Sequence, residues 1–327
     1  MRVLVTGGAG YIGSHTVRLL LEQGHEVCVY DNLSRGHAAA VPEGLLVIGE
    51  LTDPPKLVAT LSDFQVDAVM HFAAFALVGE SVEEPERYYQ NNVVGTLSLL
   101  AAMKAAGVDK IVFSSTCATY GAPEKVPITE DEKQAPINPY GFSKLVIERA
   151  LADYAAAYGW GYASLRYFNA AGAAMDGSLG EDHDPESHLI PIVLDAAAGL
   201  RDGVTIYGDD YPTPDGTCIR DYIHVDDLAV AHIAALDRLR PGSEIKLNLG
   251  TGAGFSVKQV IDMCRDVTGR DISAKAGPRR PGDPPELVAD PGRAEQELAF
   301  TCQHSDLRTI VESAWRWRKA NPRGYPK

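Results

Sequence analysis

The sequence predicts an α/β fold in which a doubly wound parallel sheet is followed by a smaller C-terminal α/β lobe. In the first half of the chain, short runs of apolar and β-branched residues alternate with longer helical stretches. These short runs are apolar almost throughout, which is typical of parallel strands covered by helices on both faces. With 327 residues, 45% of them hydrophobic, the chain is long enough to bury a large core.

The first half predicts its elements from local patterns. The strand Arg2–Val5 leads into a helix that begins near Tyr11 and ends at Gln23-Gly24, because glycine is favoured just after a helix. The other strands of the sheet are predicted at Glu26–Tyr30, Leu45–Ile48, Ala68–Phe72, Lys110–Ser114 and Tyr162–Arg166, with long helices at Tyr88–Ala106 and Tyr140–Tyr158.

After Asn169 the pattern in which strands and helices alternate changes. We therefore predict a first domain over residues 1–169 and a second lobe mainly over residues 170–327, with some segments returning to the first domain. No Gly/Ser-rich or Pro-rich linker separates them in the sequence, which predicts close packing with a ligand cleft between them. The lobe's elements are predicted as helices His188–Leu200, Val225–Leu239, Ser256–Thr268 and Asp306–Ala320, and strands Val204–Tyr207 and Lys246–Leu249.

The charge of the chain excludes some classes of partner. Its 30 Lys+Arg stand against 44 Asp+Glu, a formal net charge of −14. Nucleic-acid binding and docking on an anionic membrane both need a basic surface, so we expect neither. The five cysteines are widely spaced, and the sequence has neither an export signal nor an apolar run of membrane-spanning length. These features predict a reduced, cytoplasmic protein.

A glycine loop follows the first strand and opens the first helix. Gly7, Gly10 and Gly13 permit a tight turn and let the backbone approach a pyrophosphate at the helix N-terminus. Asp31 follows the second strand, where a carboxylate can accept hydrogen bonds from a ribose diol; it can also be an ordinary turn residue. An acidic residue there repels a 2′-phosphate, so the sequence predicts a Rossmann-type domain that binds NAD rather than NADP, with Arg35 as the one nearby cation.

Tyr140 and Lys144 lie four residues apart, so a helix places them on one face. A phenol is a poor base at neutral pH because its ordinary pKa is about 10, and a neighbouring ammonium group stabilises its anion. The pair alone could lie on the surface, but the strand before it ends in Ser115-Thr116, at the edge of the sheet where ligands bind. Thr116 can bond a substrate hydroxyl or form a turn. The pattern indicates acid–base chemistry.

Several motifs together resemble the extended short-chain dehydrogenase/reductase family: Gly7–Gly13, Thr116, Tyr140 and Lys144. Longer stretches, which cover essentially the whole chain, are similar to the UDP-glucose 4-epimerases within that family. They are His71–Ala74 with Val78–Ser81, Asn91–Thr96, Arg166–Asn169, Gly216–Val225, Asn248–Gly250 and Pro278–Asp283.

The resemblance implies NAD-dependent inversion at C4 of a UDP-hexose through a 4-keto sugar, with no net redox change. Tyr140 would take the O4 proton, Thr116 would hydrogen-bond O4, and Lys144 would lower the phenol pKa and bind the nicotinamide ribose. The family also implies a homodimer formed through the helices Tyr88–Ala106 and Tyr140–Tyr158.

The resemblance assigns further residues to each ligand. The implied cofactor-binding residues are Gly7, Gly10, Tyr11, Ile12, Gly13, Asp31, Asn32, Glu50, Leu51, Phe72, Ala73, Ala74, Asn92, Ser114, Tyr140, Lys144 and Tyr167. The implied substrate-binding residues are Thr116, Tyr140, Asn169, His188, Leu189, Tyr207, Arg220, Arg280, Asp283 and Leu287. Arginine forks suit phosphate oxygens, although Arg220 and Arg280 could instead form ion pairs with Asp221 or Asp283.

Three positions depart from the family pattern. Ala76 stands where relatives commonly have a lysine, which makes cofactor retention less secure. Glu50 replaces an aspartate that often contacts adenine. Leu287 lies near the sugar and has an intermediate size, so acceptance of N-acetylated sugars stays open.

Other activities remain as alternatives. A 4,6-dehydratase needs an acidic pair after the threonine, but Cys117 and Ala118 follow Thr116. A uronate epimerase needs a cation for the sugar carboxylate, and residues 167–200 contain no Lys or Arg. A 4-epimerase for UDP-N-acetylhexosamines and a non-catalytic dinucleotide-binding sensor are the remaining alternatives. Within the acidic loop Met175–Ser187, the residues before His188 suggest a metal site, but we favour a mobile acidic loop and predict no metal.

Overall fold

The computed structural model describes residues 1–280 and 282–326. The strands are β1 (Arg2–Thr6), β2 (Glu26–Asp31), β3 (Leu46–Ile48), β4 (Ala68–His71), β5 (Lys110–Thr116), β6 (Gly161–Tyr167), β7 (Asn169–Ala171), β8 (Val204–Tyr207), β9 (Ile219–His224), β10 (Glu244–Leu249), β11 (Gly254–Ser256), β12 (Ala274–Gly277) and β13 (Glu286–Leu287). The helices are α1 (Tyr11–Glu22), α2 (Pro54–Asp63), α3 (Val78–Glu83), α4 (Pro85–Tyr88), α5 (Gly95–Ala106), α6 (Pro139–Tyr158), α7 (Leu189–Ala197), α8 (Val225–Arg238), α9 (Val257–Thr268), α10 (Gly292–Leu298) and α11 (Leu307–Ala320). Two residues of the sequence predictions lie outside the described residues. They are Pro281, in the predicted C-terminal motif, and Lys327, at the end of the predicted second lobe.

The predicted doubly wound sheet is confirmed. Seven strands pair in the order β10-β6-β5-β4-β1-β2-β3, and all the pairings are parallel. The strand order reverses beside β1, and in such sheets ligands bind at this point, outside the carboxyl ends of the strands. The sheet includes β10 from the second half of the chain, so that segment returns to the first domain; the boundary after residue 169 itself stays a prediction.

Helices cover both faces of the sheet because the strands are apolar on both faces. On one face, α1 and α8 pack together over a core that includes Val17, Leu20 and Leu228. On the other face, α2, α5 and α6 bury Leu61, Leu99 and other side chains. The second lobe has a separate core between α7, α9 and α11. Within residues 1–280 and 282–326, we find no helix with both the length and the apolarity needed to cross a bilayer.

The predicted single helix Tyr88–Ala106 is wrong in its first part. The structure has the short helix α4, then a π-helix at Tyr89–Val94, and only then α5. The wider turn accommodates Asn92, whose buried side chain accepts a hydrogen bond from Phe75 N (2.9 Å) and donates to Phe75 O (3.0 Å) and Ser143 Oγ (3.1 Å). These bonds tie the segment after β4 to α6, and π-turns often serve this purpose at functional sites.

A buried ion pair holds α6 against the sheet. Arg166, on β6, contacts both oxygens of Glu148 on α6, with Nη2 at 2.6 Å from Oε2 and Nε at 3.0 Å from Oε1. Ser115 Oγ also donates to Glu148 Oε1 (2.6 Å). Arg166 Nη1 donates to Tyr120 Oη (2.9 Å), and that hydroxyl donates to Asn248 Oδ1 (2.7 Å) on β10. The network therefore connects three neighbouring strands to one helix.

Removing one member of this pair should destabilise the fold, because the remaining charge would be buried without its partner. We expect Glu148→Leu to lower the free energy of unfolding by about 3–5 kcal/mol. Urea denaturation of the purified protein measures this effect.

The same helix offers a matched control. Arg149→Met breaks an exposed pair with Asp153 (3.0 Å) and should change stability by less than about 1 kcal/mol. Adding Arg166→Met to Glu148→Leu should restore much of the loss, since no buried charge is left. Equal effects of Glu148→Leu and Arg149→Met would contradict the importance of the buried pair.

Candidate active site

The glycine loop lies directly against the backbone that follows β4. Gly7 has a φ of +72°, and a Cβ there would lie 2.4 Å from Ala73 N. A Cβ on Gly13 would lie 2.2 Å from the carbonyl oxygen of Gly7. Gly10 is the N-cap of α1, and among the described residues no side chain caps that helix. Larger residues are thus excluded from the turn, and the first amides of α1 are left for an anion.

Asp31 ends β2 beside this loop and has the turn role that the sequence offered as an alternative to ribose binding. Its Oδ2 accepts from Ala9 N (3.0 Å) and its Oδ1 from Leu33 N (2.8 Å), so it does shape the turn. Burial raises the pKa of Asp31, and these amide bonds oppose that rise. Each carboxylate oxygen retains acceptor capacity for a ribose hydroxyl. Arg35 is ion-paired with Glu80 (2.7 Å), which reduces its value as a partner for a 2′-phosphate.

Several other predicted cofactor residues lie at the same edge of the sheet. Phe72, Ala73 and Ala74 follow β4, and Ser114 Oγ at the end of β5 donates to Tyr167 Oη at the end of β6 (3.0 Å). Glu50 accepts from Asn32 Nδ2 (3.0 Å) beyond the end of β2. Leu51 is buried beside Gly95, Ile12 packs on the core, and the Tyr11 hydroxyl donates to Gly172 O (2.6 Å). A cradle that only glycine permits, next to helix amides that no side chain among the described residues caps, fits the pyrophosphate of a dinucleotide.

Tyr140, Lys144 and Thr116 are all buried, with exposures of 6%, 2% and 5%. Tyr140 lies in the first turn of α6, where Asn138 caps the helix by accepting from Gly141 N (2.8 Å). Lys144 follows one turn later, and its Nζ donates to Ser114 O (2.8 Å). Thr116 ends β5 and accepts from Ala118 N (3.1 Å), so it also forms the turn that was its alternative role.

The lowering of the phenol pKa that the resemblance implies for Lys144 stays a prediction. Burial raises the pKa of Tyr140 well above its ordinary value, the proximity of Tyr167 adds to the rise, and interaction with Thr116 opposes it. Burial also lowers the pKa of Lys144 to about 7, against the influence of Glu148. Desolvation disfavours the charged form of the lysine.

The implied nucleotide residues lie on the second lobe. Arg220, on β9, pairs with Asp283 rather than Asp221 and is largely buried, so it is not a surface ion pair. Arg280 stacks on the ring of Tyr207, with its guanidinium carbon 4.2 Å from the ring centroid. His188 is the N-cap of α7 and Leu189 is the first residue of that helix. Asn169 begins β7, which pairs with β9.

Leu287 lies between the two ends of the site. On β13 it is the register partner of Arg220, and it packs against a cluster that includes Cys117 and Phe168. Cys117 directly follows Thr116. A sugar held between Arg220 and Tyr140 would therefore pass Leu287.

The sequence missed several residues that position this site. Asp221 is fully buried and accepts from Thr251 N (2.9 Å), Gly252 N (3.0 Å) and Ala289 N (3.1 Å), which ties β9 to the segments around it. Glu148 was also missed, although its place one helical turn after Lys144 is a signal that it faces the sheet.

Residues 3–250 match the NAD dependent epimerase/dehydratase family. UDP-glucose 4-epimerase of Halalkalibacterium halodurans is 54% identical over 99% of this chain and 98% of its own length. The crystal structure of UDP-glucose 4-epimerase from Brucella ovis in complex with NAD has a TM-score of 0.93 and 54% identity, covering 96% of this chain and 97% of that one.

The chain is also similar to a solved relative that is named for two sugars. The structure of the UDP-Glc/GlcNAc 4-epimerase from Campylobacter jejuni has a TM-score of 0.85 and 44% identity, covering 98% of this chain and 99% of that one. The identities and the near-complete coverage agree with the resemblance inferred from the motifs. The chain therefore belongs to the NAD dependent epimerase/dehydratase family, among the UDP-glucose 4-epimerases.

Proposed function

We propose that this protein interconverts UDP-glucose and UDP-galactose in the cytoplasm by inverting the configuration at C4 of the sugar, with NAD as its cofactor. The observation that carries the proposal is the burial of Tyr140, Lys144 and Thr116 together at the carboxyl edge of the sheet that also holds the glycine cradle. Family membership gives the reaction class, and the site supplies the groups that it needs.

Residues of the first domain would hold the cofactor. The amides at the start of α1 would bind the pyrophosphate, Asp31 would bind the adenosine ribose, and Lys144 would bind the nicotinamide ribose. When bound, NAD supplies reversible two-electron redox chemistry at C4 and, in its oxidised form, a positive charge that favours the phenolate.

The chain's own residues handle the proton. Tyr140 removes the proton from the O4 hydroxyl as C4 becomes a ketone. It returns the proton when the alcohol is restored at C4 on the opposite face of the sugar. Thr116 holds O4 beside the phenol, which aligns the oxygen for proton transfer. The proton is returned in the same turnover, so no net acid, base or redox equivalent is consumed.

Tyr140→Phe tests this assignment most directly. The variant keeps the ring and its packing but has no ionisable hydroxyl, so kcat should fall by at least about 10²-fold. UDP-galactose is incubated with the purified protein without added cofactor, and the UDP-glucose formed is measured by chromatography; bound NAD is measured by its release on denaturation.

The matched control is Tyr158→Phe, at the exposed C-terminal end of the same helix. It should leave kcat unchanged, and both variants should retain NAD. If the wild-type protein shows no interconversion even with NAD supplied, the epimerase proposal fails and a dinucleotide-binding sensor is favoured. Near-normal turnover by Tyr140→Phe would instead remove the phenol from the base role.

A 4-epimerase acting on UDP-N-acetylhexosamines is the second candidate, because Leu287 lies where the sugar would pass. An acetamido group at C2 needs more room than a hydroxyl. Leu287→Ala should therefore raise kcat/KM for UDP-N-acetylglucosamine relative to UDP-glucose by about tenfold, the usual effect of a small change in pocket volume. Coupled assays with both sugars measure the ratio.

Val288→Ala is the control for that experiment, since Val288 is the buried neighbour of Leu287 along the chain and contacts Gly254 instead. It should leave the ratio unchanged. An unchanged ratio in both variants would mean that Leu287 does not limit the sugar. A 4,6-dehydratase is disfavoured because Cys117 and Ala118, rather than an acidic pair, follow Thr116, and burial raises the pKa of the Cys117 thiol to about 12.

We also propose a homodimer formed through α5, α6 and the π-helix before α5. Val94, Leu97 and Phe142 are 40%, 41% and 47% exposed there, and Tyr89 packs edge-on against Phe142 with ring centroids 6.4 Å apart. An apolar patch of this kind on a folded chain is typical of an interface.

Leu97→Glu should convert the dimer to a monomer, because it would bury an unpaired charge in the interface. Sedimentation velocity measures the mass. Leu200→Glu, on an exposed leucine in the second lobe, should leave the wild-type mass unchanged. If the wild-type protein sediments as a monomer, this patch has another purpose.

A further inference from the structure

The segment between β7 and α7 brings together four side chains of a kind that bind metals. It contains Glu181, His183, Glu186 and His188, and one ligand atom from each lies within 4.8 Å of all the others. The sequence favoured a mobile acidic loop here. In the structure the segment is hydrogen-bonded to the C-terminal residue Tyr325: Tyr325 N donates to Asp182 Oδ2 (2.8 Å), and Gly180 N donates to Tyr325 Oη (3.0 Å).

The distances between the histidines and the glutamates, which involve both oxygens of Glu186, are in the range of a tetrahedral site. His183 Nδ1 lies 3.3 Å from Glu181 Oε1 and 3.5 Å from Glu186 Oε2. His188 Nδ1 lies 3.2 Å from Glu186 Oε1 and 2.7 Å from Glu181 Oε1. Tetrahedral zinc with bonds of about 2.0–2.1 Å separates its ligand atoms by about 3.3 Å. Three of these four distances are close to that value.

Two of the atoms lie in ion-pair contacts but make no hydrogen bond. Among the described residues, these are the buried atoms Glu181 Oε1 and His183 Nδ1. The Glu181 side chain is only 6% exposed. A buried carboxylate oxygen without a hydrogen bond is costly, and a cation at the centre of the four groups would satisfy it.

The remaining surroundings suit a bound ion. Glu186 Oε1 accepts from the backbone amides of Ser187 and His188, both at 2.8 Å, which orients the carboxylate as outer partners orient metal ligands. A cavity of about 60 Å³ lined by Glu181, His183 and Glu186 adjoins the cluster.

We propose that Glu181, His183, Glu186 and His188 form a binding site for one Zn²⁺ ion. Two imidazole nitrogens and two carboxylate oxygens suit zinc, whereas Mg²⁺ and Ca²⁺ prefer oxygen ligands only. The two carboxylates neutralise the charge of the ion. The site is structural: it fixes the segment that leads into α7, whose N-cap is His188.

The test is the binding of Zn²⁺ alone to the full chain without a polyhistidine tag, after removal of metals with a chelator. Isothermal titration should show one ion per chain. Glu181→Gln and His183→Ala should each weaken the affinity at least about tenfold, since loss even of an outer partner costs about 10–100-fold. His25→Ala, which removes a histidine outside the cluster, should bind as the wild type does.

X-ray absorption of the wild-type zinc complex makes the test independent of whether the variants fold. It should show nitrogen and oxygen ligands at about 2.0–2.1 Å and no sulfur. The alternative is that protonated histidines pair with the two glutamates and no metal binds. Absence of stoichiometric binding, a sulfur ligand, or equal affinities in Glu181→Gln, His183→Ala and His25→Ala would overturn the proposal.

Discussion

The carboxylate of Glu148 and the guanidinium of Arg166 meet in the interior of the protein, and the geometry of the active site depends on this contact. Glu148 lies one helical turn after Lys144 on α6, and Arg166 lies on β6 beside the strand that carries Thr116. A buried pair adds little net stability over apolar residues of similar volume. Its contribution is positional, because bidentate bonds restrict how α6, which carries Tyr140, can lie against the sheet that carries Thr116.

The net charge of −14 coexists with a site for pyrophosphates because the two act over different distances. Exposed charges farther apart than about 8–10 Å are screened by salt, whereas the groups of the site act at contact. The amides of α1 carry no counter-charge, and Arg220 is held by Asp283 inside the second lobe. The acidity that led us to expect no polyanionic partner is therefore compatible with a nucleotide that binds to donors at short range.

Sequence reasoning succeeded where a short segment determines its own structure. The strands β1, β2, β4, β5 and β6 are apolar runs, and they lie within one or two residues of their predicted bounds. It failed where distant contacts decide. β9 contains Arg220 and Asp221 and lacks the apolar pattern of a strand. It is a strand because it pairs with β7 and β13. The π-helix around Asn92 likewise depends on Phe75 and Ser143, and the raised pKa of Tyr140 depends on burial that no local pattern records.

By itself the sequence determined the doubly wound sheet, the glycine loop and the identity of Tyr140, Lys144 and Thr116, because strand pattern, turn chemistry and residue type are local properties. Only the tertiary structure decided how these groups are charged and held. It placed Glu148 against Arg166, paired Arg220 with Asp283, and folded an acidic segment so that Glu181, His183, Glu186 and His188 face one another. The physical reason is that desolvation and charge pairing depend on which groups meet in space, and the contacts that bring them together span most of the chain.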